Sequence, residues 1–318
     1  MKAALGTDSG GTSPGLPPVA PPVAPQRVHS RARRVALCWI LALSGLAGLR
    51  PQLHAQLTSG LVVAAPSRAD SLLAVGRLAA AEQVLYAAAD ARPRAPEPRG
   101  ALGRYLASRG RFRIAEILLQ EAQRFGADPS AVRRAISLMA PYRASIVRGP
   151  VVAVAFTPTT DARALFAFPV HAARGEFSAL LDPSVRGVVM GSGAAASFAI
   201  RGARTALRIG DRELERLGVR VDSLAAPDEV RIGLDVLWGL RPVVDERAGV
   251  LTLGRAPDLA MMRGRVEQIP FVLTFPGMLL VPRVGVPPIA LQSQSGRDVL
   301  RGTRWWIDVA AATIVVER

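Results

Sequence analysis

The carboxylate of Asp182 is the group in this sequence best placed to do chemistry. An apolar run over 179–181 leads directly into it, and Pro183 and Ser184 follow. This pattern predicts a buried strand that delivers one carboxylate to a tight turn. A carboxylate held in this way can act as a general acid or base, whereas an aspartate in a surface turn is a common structural feature.

Other catalytic side chains are scarce. The chain has one cysteine, Cys38, and three histidines, of which only His171 lies beyond residue 55. Cys/His zinc sites, thiol nucleophiles and disulfides are therefore excluded after residue 55, and a serine triad would depend on His171 alone. Lys2 is the only lysine, which excludes a phosphate-binding loop that ends in lysine. We expect no metal and no cofactor, and carboxylates are the remaining catalytic groups.

The chain is strongly basic, with 40 Lys and Arg residues against 25 Asp and Glu and a net charge of +15. Nearly all the basic residues are arginines and asparagine is absent, which is typical of a GC-rich genome. The charges are scattered, and aromatic residues make up only 5% of the chain. Because nucleic-acid sites need clustered cations and stacking platforms, we expect no nucleic-acid partner.

Residues 1–55 are predicted to hold a Pro-rich extension followed by a secretory signal or membrane anchor. Several arginines precede an apolar run at 35–49, and a short segment that ends at Ala55 fits a cleavage site. The apolar run is short for a membrane span. We therefore expect a periplasmic or secreted protein, with membrane contact only through this segment if it stays uncleaved.

Residues 62–145 carry a helical pattern that repeats. The same residue types recur 34 residues apart: Gly76, Arg77, Ala81, Glu82, Leu85 and Ala88 return as Gly110, Arg111, Ala115, Glu116, Leu119 and Ala122. This period, with glycine at a turn and alanine where two helices cross, resembles tetratricopeptide repeats. A further helix is predicted over 129–139, with Asp128 as its N-cap. The repeats could bind a protein partner, but two are few for a solenoid, and we favour a docking surface for the rest of the chain.

Short strands are predicted after residue 149. Their order is a pair of strands, a strand that ends at Asp182, a hairpin over 206–221, and an apolar-apolar-glycine sequence that ends at Gly233. Over 150–257 this order resembles one lobe of a retropepsin-like aspartic protease. In that family a strand ends in Asp-Thr-Gly, and a later apolar-apolar-glycine sequence threads nearby. The resemblance implies that Asp182 is the catalytic aspartate.

An internal repeat indicates a second, trimmed lobe over 263–318. The thirteen residues from 233 to 245 recur as 296–308 with seven identities. Two shorter echoes precede them, in which 269–271 match 168–170 and 279–282 match 180–183. The predicted fold class is therefore α+β, with N-terminal helical hairpin repeats followed by an all-β, two-lobed, aspartic-protease-like domain.

Several further polar and aromatic residues have structural interpretations. Asp235 and Asp298 begin helix-like segments, where a carboxylate interacts with free amides and with the helix dipole. The tryptophans are expected to pack in the core or between the lobes: Trp238, Trp305 and Trp306.

Aspartic proteases need two carboxylates that share one proton. The first lobe offers Asp182, whereas the second has Val281 at that position, and Asp-Pro-Ser replaces the Asp-Thr-Gly of the family. The resemblance therefore implies a non-proteolytic homologue that binds a peptide or protein in the cleft between the lobes. Two alternatives remain open: an active aspartic endopeptidase that uses Asp182 in a homodimer, and a structural module of envelope assembly.

Overall fold

Helices come first along the chain and a β-rich region follows, which is the α+β order predicted from the sequence. This computed structural model describes residues 66–143, 149–198, 200–254, 257, 262 and 264–318. The predicted extension and signal at 1–55 lie outside the described residues. Within those residues, no helix is both long enough and apolar enough to span a bilayer.

The helices of the N-terminal part follow one another with short turns. They are α1 (66–74), α2 (Leu78–Ala91), α3 (Pro96–Ser108), α4 (Phe112–Arg124) and α5 (Pro129–Met139), and a 3₁₀ turn at Ala140–Arg143 completes them. Ala81 in α2 and Ala115 in α4 are completely buried. Small side chains at these two positions let the neighbouring helices approach closely.

The turns α1–α2 and α3–α4 share one geometry at the 34-residue spacing. Gly76 and Gly110 have φ angles of 67° and 73°, in the left-handed region that favours glycine. The next residues, Arg77 and Arg111, donate their backbone N–H groups to leucine carbonyl oxygens of the preceding helices, at 2.8 and 2.9 Å. The repeat predicted from the sequence is therefore present in the backbone.

Helix α5 begins where the sequence predicts. The Asp128 side chain accepts hydrogen bonds from the backbone N–H groups of Ser130 and Ala131, at 2.9 and 3.2 Å. Pro129 occupies the first helical position, where its missing N–H has no intrahelical partner to lose. The predicted N-cap is therefore confirmed.

The described residues from 149 to 254 form the first half of the β region. Its elements are β1 (Val152–Ala155), β2 (Thr157–Pro158), β3 (Phe166–Ala172), β4 (Gly175–Leu181), β5 (Val188–Met190), α6 (Ser192–Ser197), β6 (Arg204–Ile209), β7 (Arg212–Val221), β8 (Val230–Ile232), α7 (Leu234–Trp238), β9 (Val243–Asp245) and β10 (Val250–Leu253). One sheet has the order β2-β3-β4-β8-β5-β7-β6, and the pair His171–Arg208 joins β6 back to β3. The sheet therefore closes into a barrel-like form.

The described residues from 264 to 318 form the second half. Its elements are β11 (Val266–Leu273), β12 (Met278–Leu280), β13 (Ile289–Ala290), α8 (Gln294–Leu300), β14 (Arg304–Asp308) and β15 (Thr313–Glu317). A second sheet has the order β1-β10-β9-β14-β15-β11-β12-β13. It therefore draws strands from both halves and joins them into one layer.

The 63-residue repeat is visible in the pairing of the strands. Hairpin β9–β10 pairs Asp245 with Val250, and hairpin β14–β15 pairs Asp308 with Thr313, which are the same positions shifted by the repeat. Val243 of β9 pairs across the sheet with its own counterpart in β14, Trp306. A local two-fold axis therefore passes through this pair and relates the two hairpins.

One of the shorter sequence echoes does not correspond to equivalent positions. Pro169 pairs with Ser178 in the β3–β4 hairpin, whereas Pro270 pairs with Thr313 in the sheet that both halves share. The match of 269–271 to 168–170 is therefore wrong as a structural alignment. In the second half, the single strand β11 pairs with both β15 and β12. In the first half, two strands make the corresponding pairings, β1 with β10 and β3 with β4.

The helical part packs against both halves of the β region. An aromatic cluster joins them, with ring centroids 5.2 to 6.5 Å apart, and its members are Phe112, Tyr142, Trp238, Phe271 and Phe275. Arg109, which follows α3, donates side-chain hydrogen bonds to the carbonyl oxygens of Phe271 and Ala312. These contacts agree with the docking role that we favour for the helices.

Candidate functional site

Asp182 lies where β4 and β8 end side by side. Leu181 and Ile232 are the last paired residues of these parallel strands. The backbone N–H of Asp182 donates to the carbonyl oxygen of Ile232 at 3.0 Å. The expected proximity of the acid turn and the apolar-apolar-glycine sequence is therefore confirmed.

Two glycines let the chain cross itself beside this turn. The N–H of Gly233 donates to the carbonyl oxygen of Gly187 at 2.7 Å. A Cβ atom on Gly233 would lie 2.5 Å from the carbonyl oxygen of Val185, and one on Gly187 would lie 2.4 Å from that of Gly218. Such distances are far inside van der Waals contact, so any larger residue would displace the backbone.

The carboxylate of Asp182 is buried and fully engaged, with none of the residue exposed to solvent. Its Oδ1 accepts hydrogen bonds from the backbone N–H and the hydroxyl of Ser184, at 2.8 and 2.5 Å. Its Oδ2 accepts one from Nη1 of Arg231 at 2.8 Å. Ser184 therefore closes the turn onto the acid, and Arg231 neutralises its charge.

Arg231 holds two further carboxylates besides that of Asp182. Its Nη2 donates to Oδ2 of Asp161 and its Nε to Oε1 of Glu229, both at 2.5 Å. Burial disfavours the charged guanidinium, but the hydrogen bonds to the three acids outweigh this effect and raise the pKa of Arg231. The hydrogen bond from Arg231 in turn lowers the pKa of Asp161. We call these four side chains the Arg231 cluster.

The second half has no acid at the position that matches Asp182. Val281 is only 3% exposed, and its N–H donates to the carbonyl oxygen of Pro270 at 2.8 Å. The helical part covers the turn that follows, since the N–H of Gly285 donates to the carbonyl oxygen of Val75 at 2.9 Å. A Cβ on Gly76 would lie 2.8 Å from Cγ1 of Val281, so the helices leave little free space here.

Asp235 occupies the first turn of α7, as the sequence predicts. Both of its carboxylate oxygens accept the backbone N–H of Gly187, at 3.0 and 3.1 Å. Burial raises the pKa of this carboxyl group above its usual value. Asp235 therefore ties α7 to the Asp182 turn. The prediction that Asp298 begins a helix is wrong, because α8 starts at Gln294 with Ser293 as its N-cap and Asp298 lies near the other end. Asp298 is half exposed and pairs locally with Gln294 and Arg301.

A groove of about 1170 Å³ lies elsewhere, between α4 and the turn that joins β14 to β15. Arg113, Glu116 and Ile117 of α4 form one side of it, and residues 308–310 form the other. Trp238 and Trp306 also line it. The groove and the predicted catalytic residue Asp182 are therefore separate features of the molecule.

Sequence reasoning missed both Arg231 and this groove. Arg231 stands between Val230 and Ile232, two residues after Glu229, and this alternation of charged and apolar residues was its only local signal. The sequence did not show that β8 would lie parallel to β4, which is what brings Arg231 to Asp182.

Similarity to known proteins does not assign a function to this chain. No known protein-family model matches this chain, and a search of curated proteins finds no relative. Among the residues that the structure describes, no group of three or more His, Cys, Asp and Glu side chains is arranged to hold a metal ion.

Proposed function

We propose that this chain is a non-proteolytic, retropepsin-like protein, secreted or periplasmic, that binds peptide or protein partners. The observation that carries the proposal is the burial and hydrogen bonding of the Asp182 carboxylate. Both oxygens of its carboxylate accept hydrogen bonds from Ser184 and Arg231, and the residue has no exposure to solvent.

Aspartic proteolysis depends on two carboxylates that share one proton, so that one activates water and the other polarises the scissile carbonyl. The oxygens of Asp182 are bonded instead to Ser184 and Arg231, which take the place of a second carboxyl group. Val281 supplies no acid within the chain, and a homodimer would have to expose Asp182 before two copies could meet. These features support a scaffold that has lost catalysis.

Binding is the activity that such a scaffold can still perform. The two halves and the helical part form a groove of about 1170 Å³, which is above the roughly 300–1,000 Å³ typical of small-molecule pockets. A groove of that size suits an extended chain segment better than a metabolite.

A cleavage assay tests the proposal directly. Purified chain and an Asp182→Asn variant are incubated with casein from about pH 3 to about pH 7, the range in which aspartic dyads work. We expect intact casein with both proteins by mass spectrometry, with circular dichroism showing that both are folded. Cleavage by the parent chain that the folded variant lacks would contradict the proposal and establish the endopeptidase alternative.

A further inference from the structure

One face of α4 forms a wall of the groove. Arg113, Glu116, Ile117 and Gln120 line it at the spacing of one helix face. The opposite wall is the turn after β14, from Asp308 to Ala310. The groove therefore lies between one face of a helix and the end of β14 with the turn that follows it.

Part of the groove is lined by aliphatic side chains that are exposed to water. Ile114 and Ile117 are 48% and 49% exposed, on consecutive turns of α4. Trp238 and Trp306 lie in the lining but are only 5% and 4% exposed, so their ring faces are already packed. Exposed aliphatic side chains beside packed rings suit aliphatic groups of a peptide and do not offer a stacking platform for nucleic-acid bases.

The charges of the groove are unbalanced. Arg111 pairs with Glu82 at 2.8 Å, and Arg143 pairs with Glu116 at 2.7 Å. Arg113 and Arg241 also line the groove, and both are exposed. Within the part of the chain that the structure describes, neither of these two guanidinium groups makes a side-chain hydrogen bond or an ion pair. Asp308 also lines the groove, and among the described residues its carboxylate accepts the backbone N–H of Ala311 but makes no ion pair. Two unpaired guanidinium groups against one unpaired carboxylate leave the groove with an excess of one positive charge.

We propose that this groove binds a peptide segment that carries both acidic and aliphatic side chains. Arg113 and Arg241 bind its carboxylates, because a guanidinium fork matches a carboxylate with two parallel hydrogen bonds. Ile114 and Ile117 contact its aliphatic side chains. The inference rests on the proposed non-proteolytic function, since the bound segment remains intact, and it supplies the chemistry of the partner.

A fluorescence anisotropy titration tests the groove. The probe is a short synthetic peptide of alternating leucine and glutamate with a fluorescein label, and the comparison peptide has lysine in place of glutamate. We expect saturable binding of the glutamate peptide that weakens with added salt, and no saturable binding of the lysine peptide. Equal binding of the two peptides would overturn the charge argument.

Variants locate the site. Arg113→Glu and Arg241→Glu should each weaken binding of the glutamate peptide about tenfold or more, because a carboxylate then faces a carboxylate. Arg133→Glu on α5 makes the same charge reversal at an exposed position that does not line the groove, and it should leave the affinity unchanged. Unchanged affinity in both groove variants, with folding intact by circular dichroism, would overturn the site.

Mass spectrometry of the probe after each titration separates this inference from the proposed function. An intact probe with no saturable binding overturns the groove and leaves the non-proteolytic assignment in place. A cleaved probe contradicts the non-proteolytic assignment, and the groove is then judged by the two arginine variants alone.

Discussion

Asp182 and Arg231 form the most buried ion pair of the Arg231 cluster, with side chains that are 1% and 13% exposed. Charges taken out of water are expensive, and they persist only where partners and hydrogen bonds satisfy them fully. Here the pair joins the end of β4 to β8. Asp182 therefore has a structural task that would account for its presence without catalysis.

Removing Arg231 should cost more than neutralising Asp182. Arg231→Met should lower the free energy of unfolding by about 3–5 kcal/mol, because it leaves a buried carboxylate without a counter-ion. Asp182→Asn should cost about 1–3 kcal/mol, because the amide oxygen can still accept from Ser184. Urea denaturation measures both, and Asp298→Asn, at a half-exposed position, should stay within about 0.5 kcal/mol. A Met variant as stable as the Asp298 control would show that the cluster does not stabilise the fold.

Acid should weaken the same cluster through Asp161. Because its folded-state pKa is lowered, its pairing with Arg231 stabilises fully above the unfolded-state pKa and is lost as the pH falls through the folded-state value. The stability difference between the parent chain and Asp161→Asn should therefore be constant above about pH 5 and shrink below about pH 4. Chemical denaturation at several pH values checks this, and a difference that grew on acidification would rule the assignment out.

The sequence supports Asp182 as a buried acid at a strand end because the apolar run and the turn residues are local signals. Its partner could not be predicted from local signals. Arg231 is one of many arginines in this chain, and only the three-dimensional pairing of two distant strands selects it. The N-cap Asp128 shows the opposite case, since a cap acts on residues two and three positions away in the sequence.

At the scale of the elements, the Asp182 turn and the end of β8 cross because their two backbones can come close to each other. Gly187 and Gly233 bring two chain segments within hydrogen-bonding distance. The N–H of Gly233 donates to the carbonyl oxygen of Gly187, the N–H of Gly187 donates to the Asp235 carboxylate, and the N–H of Asp182 donates to the carbonyl oxygen of Ile232. Three hydrogen bonds therefore converge on one small region that links β4, β8 and α7. The position of α7 follows from this crossing.

Substituting Gly233 should disrupt this crossing. Gly233→Ala places a Cβ 2.5 Å from the carbonyl oxygen of Val185, and the overlap should cost about 1–3 kcal/mol or more. Gly218→Ala, in neighbouring β7, is the matched control, because a Cβ there meets nothing within 4 Å. Thermal unfolding of the two variants compares them directly. Equal melting temperatures would mean that the crossing tolerates a side chain.

Most elements could be predicted because their signals are local: the repeat of the helices, the hairpin β6–β7 and the closing hairpins. Two features could not. Helix α6 consists of small residues without an apolar period, which leaves no pattern to detect. The sheet that joins β9 to β14 was also not predicted, because alternation specifies which face is buried but not which strand is the neighbour.

At the scale of the whole molecule, the helical part and both β halves share one hydrophobic core. Two repeats bury too little surface to stand alone as a solenoid. The β region supplies the missing surface through Trp238, Phe271 and Phe275, which pack on Phe112 and Tyr142. We therefore expect the described residues of both parts to unfold together.

Arg109 tests that coupling. Its side chain hydrogen-bonds the carbonyl oxygens of Phe271 and Ala312 and lies 5.9 Å from the centre of the Phe271 ring. Arg109→Met should lower the free energy of unfolding by about 1.5–3 kcal/mol, because hydrogen bonds from a charged group are lost. Arg124→Met, at an exposed end of α4, is the control. Far-ultraviolet circular dichroism and tryptophan fluorescence should follow one transition, and two separate transitions in the parent chain would contradict the coupling.

The pairing of β9 with β14 also determines when the shared sheet can fold relative to translation. The helices are built from local contacts and can form soon after they leave the ribosome. β10 can pair with β1 and β9 early, whereas the other edge of β9 has no neighbour until β14 has been translated. Until then the first half keeps an unpaired strand edge and an exposed aromatic surface. The shared sheet can therefore be completed only when the last strands of the chain have been made, near the end of translation.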